Sequence, residues 1–192
     1  VVVEYLRLNP GARVDLSVCN TRQVVERLRR FELDIGLIEG EASDSELIFE
    51  PWLDDELVVF CAPAHPLAKI GVLRSTGISA QKWIVREPGS GTREITDFYF
   101  RSHDIAPETL KTQMELGSPE ALKGVVATGL GFAIVSRAVA EKEVQLGELI
   151  AIPLKPALKR SLYLIFPQDR FQSRLAATFI EFAKKKLKEI AL

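Results

Sequence analysis

Cysteine and histidine are scarce: Cys19, Cys61, His65 and His103 are the only four in 192 residues. No Cys/His group has metal-ligand spacing, and no Ser-His-Asp set assembles, so neither a metal nor a catalytic triad is expected. Both cysteines sit in apolar strand-like runs. Buried free thiols in a reducing compartment are therefore expected rather than a disulfide, although Cys19, just before a helix start, could have a lowered thiol pKa and sense redox state. Charge of one sign is also lacking. Twenty-five basic and 26 acidic residues leave a net charge of −1, which gives no basic footprint for nucleic acid within this chain. No apolar run approaches the roughly 20 residues of a membrane span, and no charged leader with an apolar core is visible, so secretion is not expected.

What remains is an ordinary globular composition, 47% hydrophobic and 27% charged. It is enough for one large domain or two small lobes that bury roughly 70% of the unfolded surface. The most informative stretch is Trp83–Glu94. Trp83, Ile84 and Val85 read as a short buried strand. Glu87-Pro88-Gly89-Ser90-Gly91 then force a turn. Ile95, Phe98 and Tyr99 follow at the spacing of an amphipathic helix. A strand thus passes through a small polar turn into a helix N-terminus, where unpaired N–H groups and the helix dipole favour an anion. Ser90 and Thr92 add hydroxyls and Arg93 a fixed charge. The plain alternative is that Ser90 or Thr92 caps the helix and Arg93 is solvated. Two nucleotide readings fail: Gly89-x-Gly91-x-x-Glu94 lacks the third glycine of a dinucleotide fingerprint, and no Gly-Lys-Ser/Thr follows for a phosphate loop.

Along the chain, Val1–Leu8 is helix-compatible and Asn9-Pro10-Gly11 is a turn. Val14, Leu16 and Val18 alternate as in a strand. Asn20, with Gln23 three residues later, marks a capping box before a helix whose buried face is Val24, Val25, Leu28 and Phe31. Asp34–Ile38 is a buried strand ending at Glu39-Gly40. Glu41–Glu46 is a charged loop. Leu47–Phe49 and Leu57–Ala62 read as separate strands divided by Pro51 and Asp54-Asp55-Glu56. Pro63–Pro66 is a stiff connector, with His65 a loop residue, and Leu67–Gln81 is a short link. Thr112–Leu116 is a strand. Ser118-Pro119-Glu120 opens a helix, and Gly129-Leu130-Gly131 closes it. Phe132–Val135, Leu149–Ile152 and Leu162–Phe166 are strands. Ser136 caps a short helix reaching about Val144. Pro167–Phe171 is a second connector. A last helix from about Ser173 turns Leu175, Phe179, Ile180, Ala183 and Leu187 inward. The alternation predicts an α/β fold with largely parallel sheets. A strand, a small polar turn and a helix recur four times, at Asn20-Thr21, Ser90–Arg93, Gly117-Ser118 and Ser136, and ligands of open α/β sheets sit at such strand ends.

Together and in order, these motifs resemble the effector-binding domain of LysR-type transcriptional regulators, nearest the cysteine-biosynthesis and carbon-fixation branch. Asn20-Thr21-x-x-Val24-Val25-Glu26, Leu33–Gly40, Asp55–Val59 and Pro63-x-His65-Pro66-Leu67-Ala68 carry the likeness. So do Arg86–Arg93, Glu115-Leu116-Gly117-Ser118-x-Glu120-Ala121 and Gly129-Leu130-Gly131-x-Ala133-x-x-Ser136-Arg137. The resemblance implies a type II periplasmic-binding-protein-like fold: two α/β lobes joined by two crossing strands, with a ligand cleft. It implies lobe I at 1–62 plus 167–192 and lobe II at 63–166. It also implies that Asn20, Thr21, Ser90, Gly91, Thr92 and Ser118 line the cleft. Glu39, Arg93, Gly117 and Gly131, from the same motifs, complete the candidate effector-binding set.

The resemblance further implies a bacterial cytoplasmic protein, dimeric here and tetrameric at full length. It would sense a small anion such as sulfate, phosphate, a sugar phosphate or a carboxylate, with no cofactor. The family's winged helix-turn-helix, its linker helix and the first strand of lobe I do not match any part of this chain, so DNA is expected as a partner only through a segment outside it. A transport solute-binding protein is the alternative reading. An enzyme would have to draw on Glu39, Glu87 or Cys19 for its chemistry, and none is expected.

Overall fold

The computed structural model describes residues 1–40, 44–74, 77–78, 81–168 and 174–190. The chain forms two compact units, Val1–Leu53 with Ser161–Leu192 and Asp54–Arg160. Both passages between them fall inside long strands, at 53/54 and 160/161, earlier than the Pro-containing connectors that the sequence suggested. Prolines stiffen a connector, but it is the pattern of packing contacts that divides the units, and each strand begins packing in one unit and ends in the other.

In the first unit, α1 (Val2–Leu8) lies on α6 (Arg174–Ile190) through Tyr5, which is buried and meets the Phe179 and Phe182 rings at 5.0 and 5.3 Å. Helix α2 (Thr21–Arg29) starts with the anticipated capping box: the Asn20 side chain accepts from the Gln23 N–H, and the Gln23 side chain accepts from the Asn20 N–H. Its Val24 and Leu28 pack with Ile38, Leu47 and Ile165. Strand β1 (Gly36–Glu39) pairs antiparallel with β9 (Leu158–Pro167). Gly36 is what lets α2 approach, since a β-carbon there would stand 2.5 Å from Val24 Cγ1.

Val14–Val18 is not a strand. Leu16 is 78% and Val18 92% exposed, and among the described residues the segment pairs with no neighbour. An alternating pattern states which face a strand would bury, but the strand exists only through ladder bonds to a partner. Glu41–Ser43, the link residues 75–76 and 79–80, the connector from Asp169 onward, Ser173 and the Leu187 side chain lie outside the described residues.

The two strands expected at Leu47–Phe49 and Leu57–Ala62 are one, β2 (Leu47–Cys61), which runs past Pro51 and the acidic triplet and carries the chain from the first unit into the second. It pairs antiparallel with β6 (Phe132–Ser136) and β7 (Ile150–Ile152). Strand β4 (Lys82–Arg86) is parallel to β6 and to β5 (Lys111–Leu116). The short β3 (Leu73–Arg74) and β8 (Leu154–Lys155) form a separate parallel pair. The sheets are therefore mixed rather than largely parallel.

Alternate residues of β2 enter different cores. Leu57, Val59 and Cys61 join Trp83, Val85 and Phe100 on one face, while Val58 and Phe60 join Ile84, Leu122 and Val126 on the other. Helix α3 (Gly91–Arg101) covers the first face and α4 (Pro119–Ala127) the second. A sheet covered on both sides needs continuous apolar strands, which is why these runs do not alternate with polar residues. Beyond β6, Arg137–Ala140 forms a 3-10 turn leading into α5 (Glu141–Gln145).

Candidate functional site

Because β4, β5 and β6 are parallel neighbours, their carboxyl ends meet at one edge of the second unit. That edge collects the turn after Arg86, the turn after Leu116, and Ser136. Strand β2 runs the other way, with Leu57 opposite Ser136, so Asp55 arrives at the same edge. Topology thus unites three of the four strand–turn–helix devices.

The β4–α3 turn is tight. The Ser90 N–H donates to the Glu87 carbonyl at 3.2 Å, and Gly89 has φ of 86°, a left-handed conformation that glycine adopts without penalty. Ser90, Gly91 and Thr92 are all buried. The four small polar caps then diverge. Asn20 caps α2, Ser118 accepts from the Ala121 N–H at 3.4 Å, and Ser136 accepts from the Ala138 N–H at 3.2 Å. Ser90, at the N-cap of α3, makes no capping bond. Its hydroxyl is buried and, among the described residues, has no hydrogen-bond partner. Buried polar atoms normally have partners, so this one calls for an explanation.

Three guanidiniums surround the turn, and each faces a carboxylate. Arg86 makes a bidentate pair with Glu87 at 2.8 and 3.1 Å. Arg93 bonds Asp97 at 2.9 Å, donates to the Arg86 carbonyl at 3.1 Å, and lies 5.5 Å over the Trp83 ring. The Arg93 side chain therefore locks α3 to β4, where the sequence suggested a charge directed at a ligand. Arg160 pairs with Asp55 at 2.7 Å and donates from Nη1 to Thr92 Oγ1 at 2.9 Å. Arg160 was not singled out in the sequence, and Asp55 entered only as the start of a family motif, not as a candidate site residue. They are 105 residues apart and no local pattern joins them.

The other candidate residues divide by position. Gly117 and Ser118 stand beside the first turn: a β-carbon on Gly117 would lie 3.9 Å from the Glu87 carboxyl carbon. Gly131 is not brought to this edge. It precedes β6 at the opposite strand ends, against the Lys82 backbone. Asn20, Thr21 and Glu39 gather in the first unit, where Thr21 Oγ1 donates to the Glu39 carbonyl at 3.4 Å. Of the carboxylates an enzyme would need, Glu87 is held by Arg86. Among the described residues no three His, Cys, Asp or Glu side chains could hold a metal, and no helix is long and apolar enough to cross a membrane. A broader hollow beside α4 and α5 centres on Lys123, which pairs with Glu120 and Glu143 at 3.0 and 2.8 Å and donates to the Val139 carbonyl. Glu143 holds the Lys123 pKa above its ordinary value.

Known proteins are similar to this chain in sequence and in fold. The LysR substrate binding domain family matches residues 1–188. The HTH-type transcriptional regulator YeiE of Escherichia coli (strain K12) is 42% identical over 184 residues, 95% of this chain and 61% of that protein. The HTH-type transcriptional regulator CysL of Bacillus subtilis (strain 168) is 32% identical over 166 residues, 86% of this chain and 54% of CysL. The chain thus spans less than two thirds of the length of these relatives. Among solved structures, the CcmR regulatory domain of Synechocystis PCC6803 in complex with 2-PG superposes with a TM-score of 0.88 at 29% identity, over 97% of this chain and 89% of that one. Two α/β units joined by two strands, motifs in matching order and a family match over nearly the whole length agree: the chain belongs to the LysR substrate binding domain family.

Proposed function

We propose that this chain is the effector-sensing part of a LysR-type transcription regulator and that it takes the anionic group of a small metabolite at the N-terminus of α3. The observation that carries the reading is Ser90: a buried hydroxyl with no hydrogen-bond partner among the described residues, at the start of an 11-residue helix, beside Thr92. The first N–H groups of a helix have no intrahelical acceptor and carry the positive end of its dipole. An anion there satisfies them and Ser90 together. Charge-assisted bonds contribute roughly 1.5–3 kcal/mol each. A few of them, less ordering costs, give a Kd in the micromolar-to-millimolar range, about −8 to −4 kcal/mol, suited to sensing a metabolite.

Gly91, Thr92, Gly117 and Ser118 complete the contacts in the second unit; Asn20, Thr21 and Glu39 are the corresponding group in the first. The 2-PG complex of the CcmR regulatory domain supports an anionic effector. The role is sensing rather than catalysis, in keeping with relatives that are transcriptional regulators. DNA contact through a helix-turn-helix in the longer protein, a cytoplasmic location and assembly as a dimer, or a tetramer at full length, are parts of the same proposal. The signal requires that the effector bind one conformation of the regulator better than another, since equal affinity shifts nothing.

The test is thermal unfolding against sulfate, phosphate, 2-phosphoglycolate and simple carboxylates at about 1 mM. For a Kd of about 10 μM, linkage gives about 2.7 kcal/mol of stabilisation, or several degrees at about 2–4 °C per kcal/mol for a chain of this size. A selective shift that Thr92→Val abolishes supports the reading. No shift with any anion overturns it.

A further inference from the structure

Ser90 is 1% exposed, and its hydroxyl, at the N-cap of α3, has no hydrogen-bond partner among the described residues. The positive charges around it are already engaged. Arg86 grips both Glu87 oxygens, at 2.8 and 3.1 Å. Arg93 holds Asp97 at 2.9 Å, and Arg160 holds Asp55 at 2.7 Å. None is a surface pair, since all six side chains are at most 22% exposed. The two turns at this edge, residues 87–92 and 116–120, contain no Lys, Arg or His.

We infer that the anion site at α3 works without a counter-charge: uncharged donors hold the effector, and Glu87 withholds the Arg86 guanidinium from it. The inference rests on the proposed site at α3. An effector that took a carboxylate's place on one of these arginines would leave that carboxylate buried and unpaired, which is strongly unfavourable. The donors left to it are Ser90 Oγ and the first N–H groups of α3, such as those of Gly91 and Arg93, which have no intrahelical acceptor. The helix end carries roughly half an elementary charge, not a full one. Such a site reads the number and direction of acceptor oxygens more than total charge. Its ligand class is therefore an oxyanion in preference to a halide.

The experiment titrates inorganic sulfate and 2-phosphoglycolate calorimetrically into this chain, as wild type, Glu87→Gln and the double variant Arg86→Gln/Glu87→Gln, with Tm measured for each. Glu87→Gln releases the Arg86 charge beside the site. Both anions should bind about tenfold tighter in about 50 mM KCl, and the gain should shrink in about 500 mM KCl, where the charge is screened. The double variant removes charge and counter-charge together, so its affinity should stay within about twofold of the wild type. If Arg86 instead holds the anion, the double variant loses binding about tenfold or more, and that result overturns the inference. A Glu87→Gln chain that loses Tm without binding tighter also overturns it, since Glu87 would then be merely structural. Should Glu87→Gln fail to fold, the double variant, which leaves no unpaired charge, still decides. Binding that Ser90→Ala and the double variant both weaken removes this inference and leaves the anion site standing. No binding of either probe to the wild type removes both.

Discussion

A β-carbon on Gly131 would stand 2.5 Å from the backbone carbonyl oxygen of Lys82 and 3.4 Å from Ile84 Cδ1. Backbone cannot yield as a flexible side chain can, so the β4–β6 contact requires glycine here. Gly131→Ala is expected to destabilise the chain by about 1–3 kcal/mol through overpacking, a fall of several degrees in Tm. Because Gly131 lies at the opposite strand ends from Ser90, anion affinity measured well below the new Tm should be unchanged. A selective loss of binding in a chain of native stability would return Gly131 to the effector site.

Ser90 and Asn20 occupy the same position on their helices and should respond oppositely to truncation. Asn20→Ala removes a capping box and should cost about 1 kcal/mol of stability. Ser90→Ala removes a hydroxyl with no hydrogen-bond partner among the described residues, so stability should move by no more than about 0.5 kcal/mol. Anion affinity should fall roughly 10- to 100-fold, corresponding to one charge-assisted bond. Denaturant titration and calorimetry on the two variants separate these effects. A Ser90→Ala chain that loses stability like Asn20→Ala would mean the hydroxyl is structural.

His65 is buried, and its Nδ1 accepts from the Leu67 N–H at 3.2 Å, capping the 3-10 turn Pro66–Lys69. Burial lowers its pKa below the ordinary 6.5. The folded state thus favours the neutral ring and the unfolded state binds the proton more readily. The stability this contributes is present above pH 6.5 and is lost as pH falls through the lowered folded value. His65→Asn keeps an acceptor for Leu67 without titrating. The decline in Tm between about pH 7 and pH 5 should therefore be shallower in His65→Asn than in the wild type, and equal slopes would count against the assignment.

Cys61 is fully buried in the sheet, and burial alone pushes its thiol up to about 11. Its folded pKa lies above the ordinary 9.0, so its contribution to stability is constant at neutral pH and lost only as pH rises from 9 towards 11. The thiolate is the reactive form. In a Cys19→Ser chain, a disulfide reagent at pH 8 should find no reactive thiol until denaturant is added. Rapid native labelling would show that the β2 core opens readily.

Much of the fold was legible because its signals are local. The Asn20–Gln23 capping box, the Ser118-Pro119-Glu120 start and the Gly89–Gly91 turn each state their conformation within a few residues, and each is present. Elements that depend on a neighbour were not legible. Val14–Val18 has the pattern of a strand but no pairing partner among the described residues, and β2 is a single strand through Pro51, where the local sequence reads as a break. The sequence singled out Ser90 and Thr92 as an anion turn yet gave no hint of Arg160, whose partners lie 68 and 105 residues away.

By itself the sequence determined the alternation of strands and helices, the polar turns at helix starts, and the lack of Cys/His groups at metal-ligand spacing. These follow from periodicity, capping chemistry and composition, which act over a turn or two of chain. Only the tertiary structure decided which polar turns share an edge, which serines cap their helices, and which arginines are neutralised. Those outcomes depend on strand order and direction. Parallel pairing of β4 with β5 and β6 brings remote carboxyl ends together, and burial there fixes a hydroxyl or a charge by the partner that folding supplies.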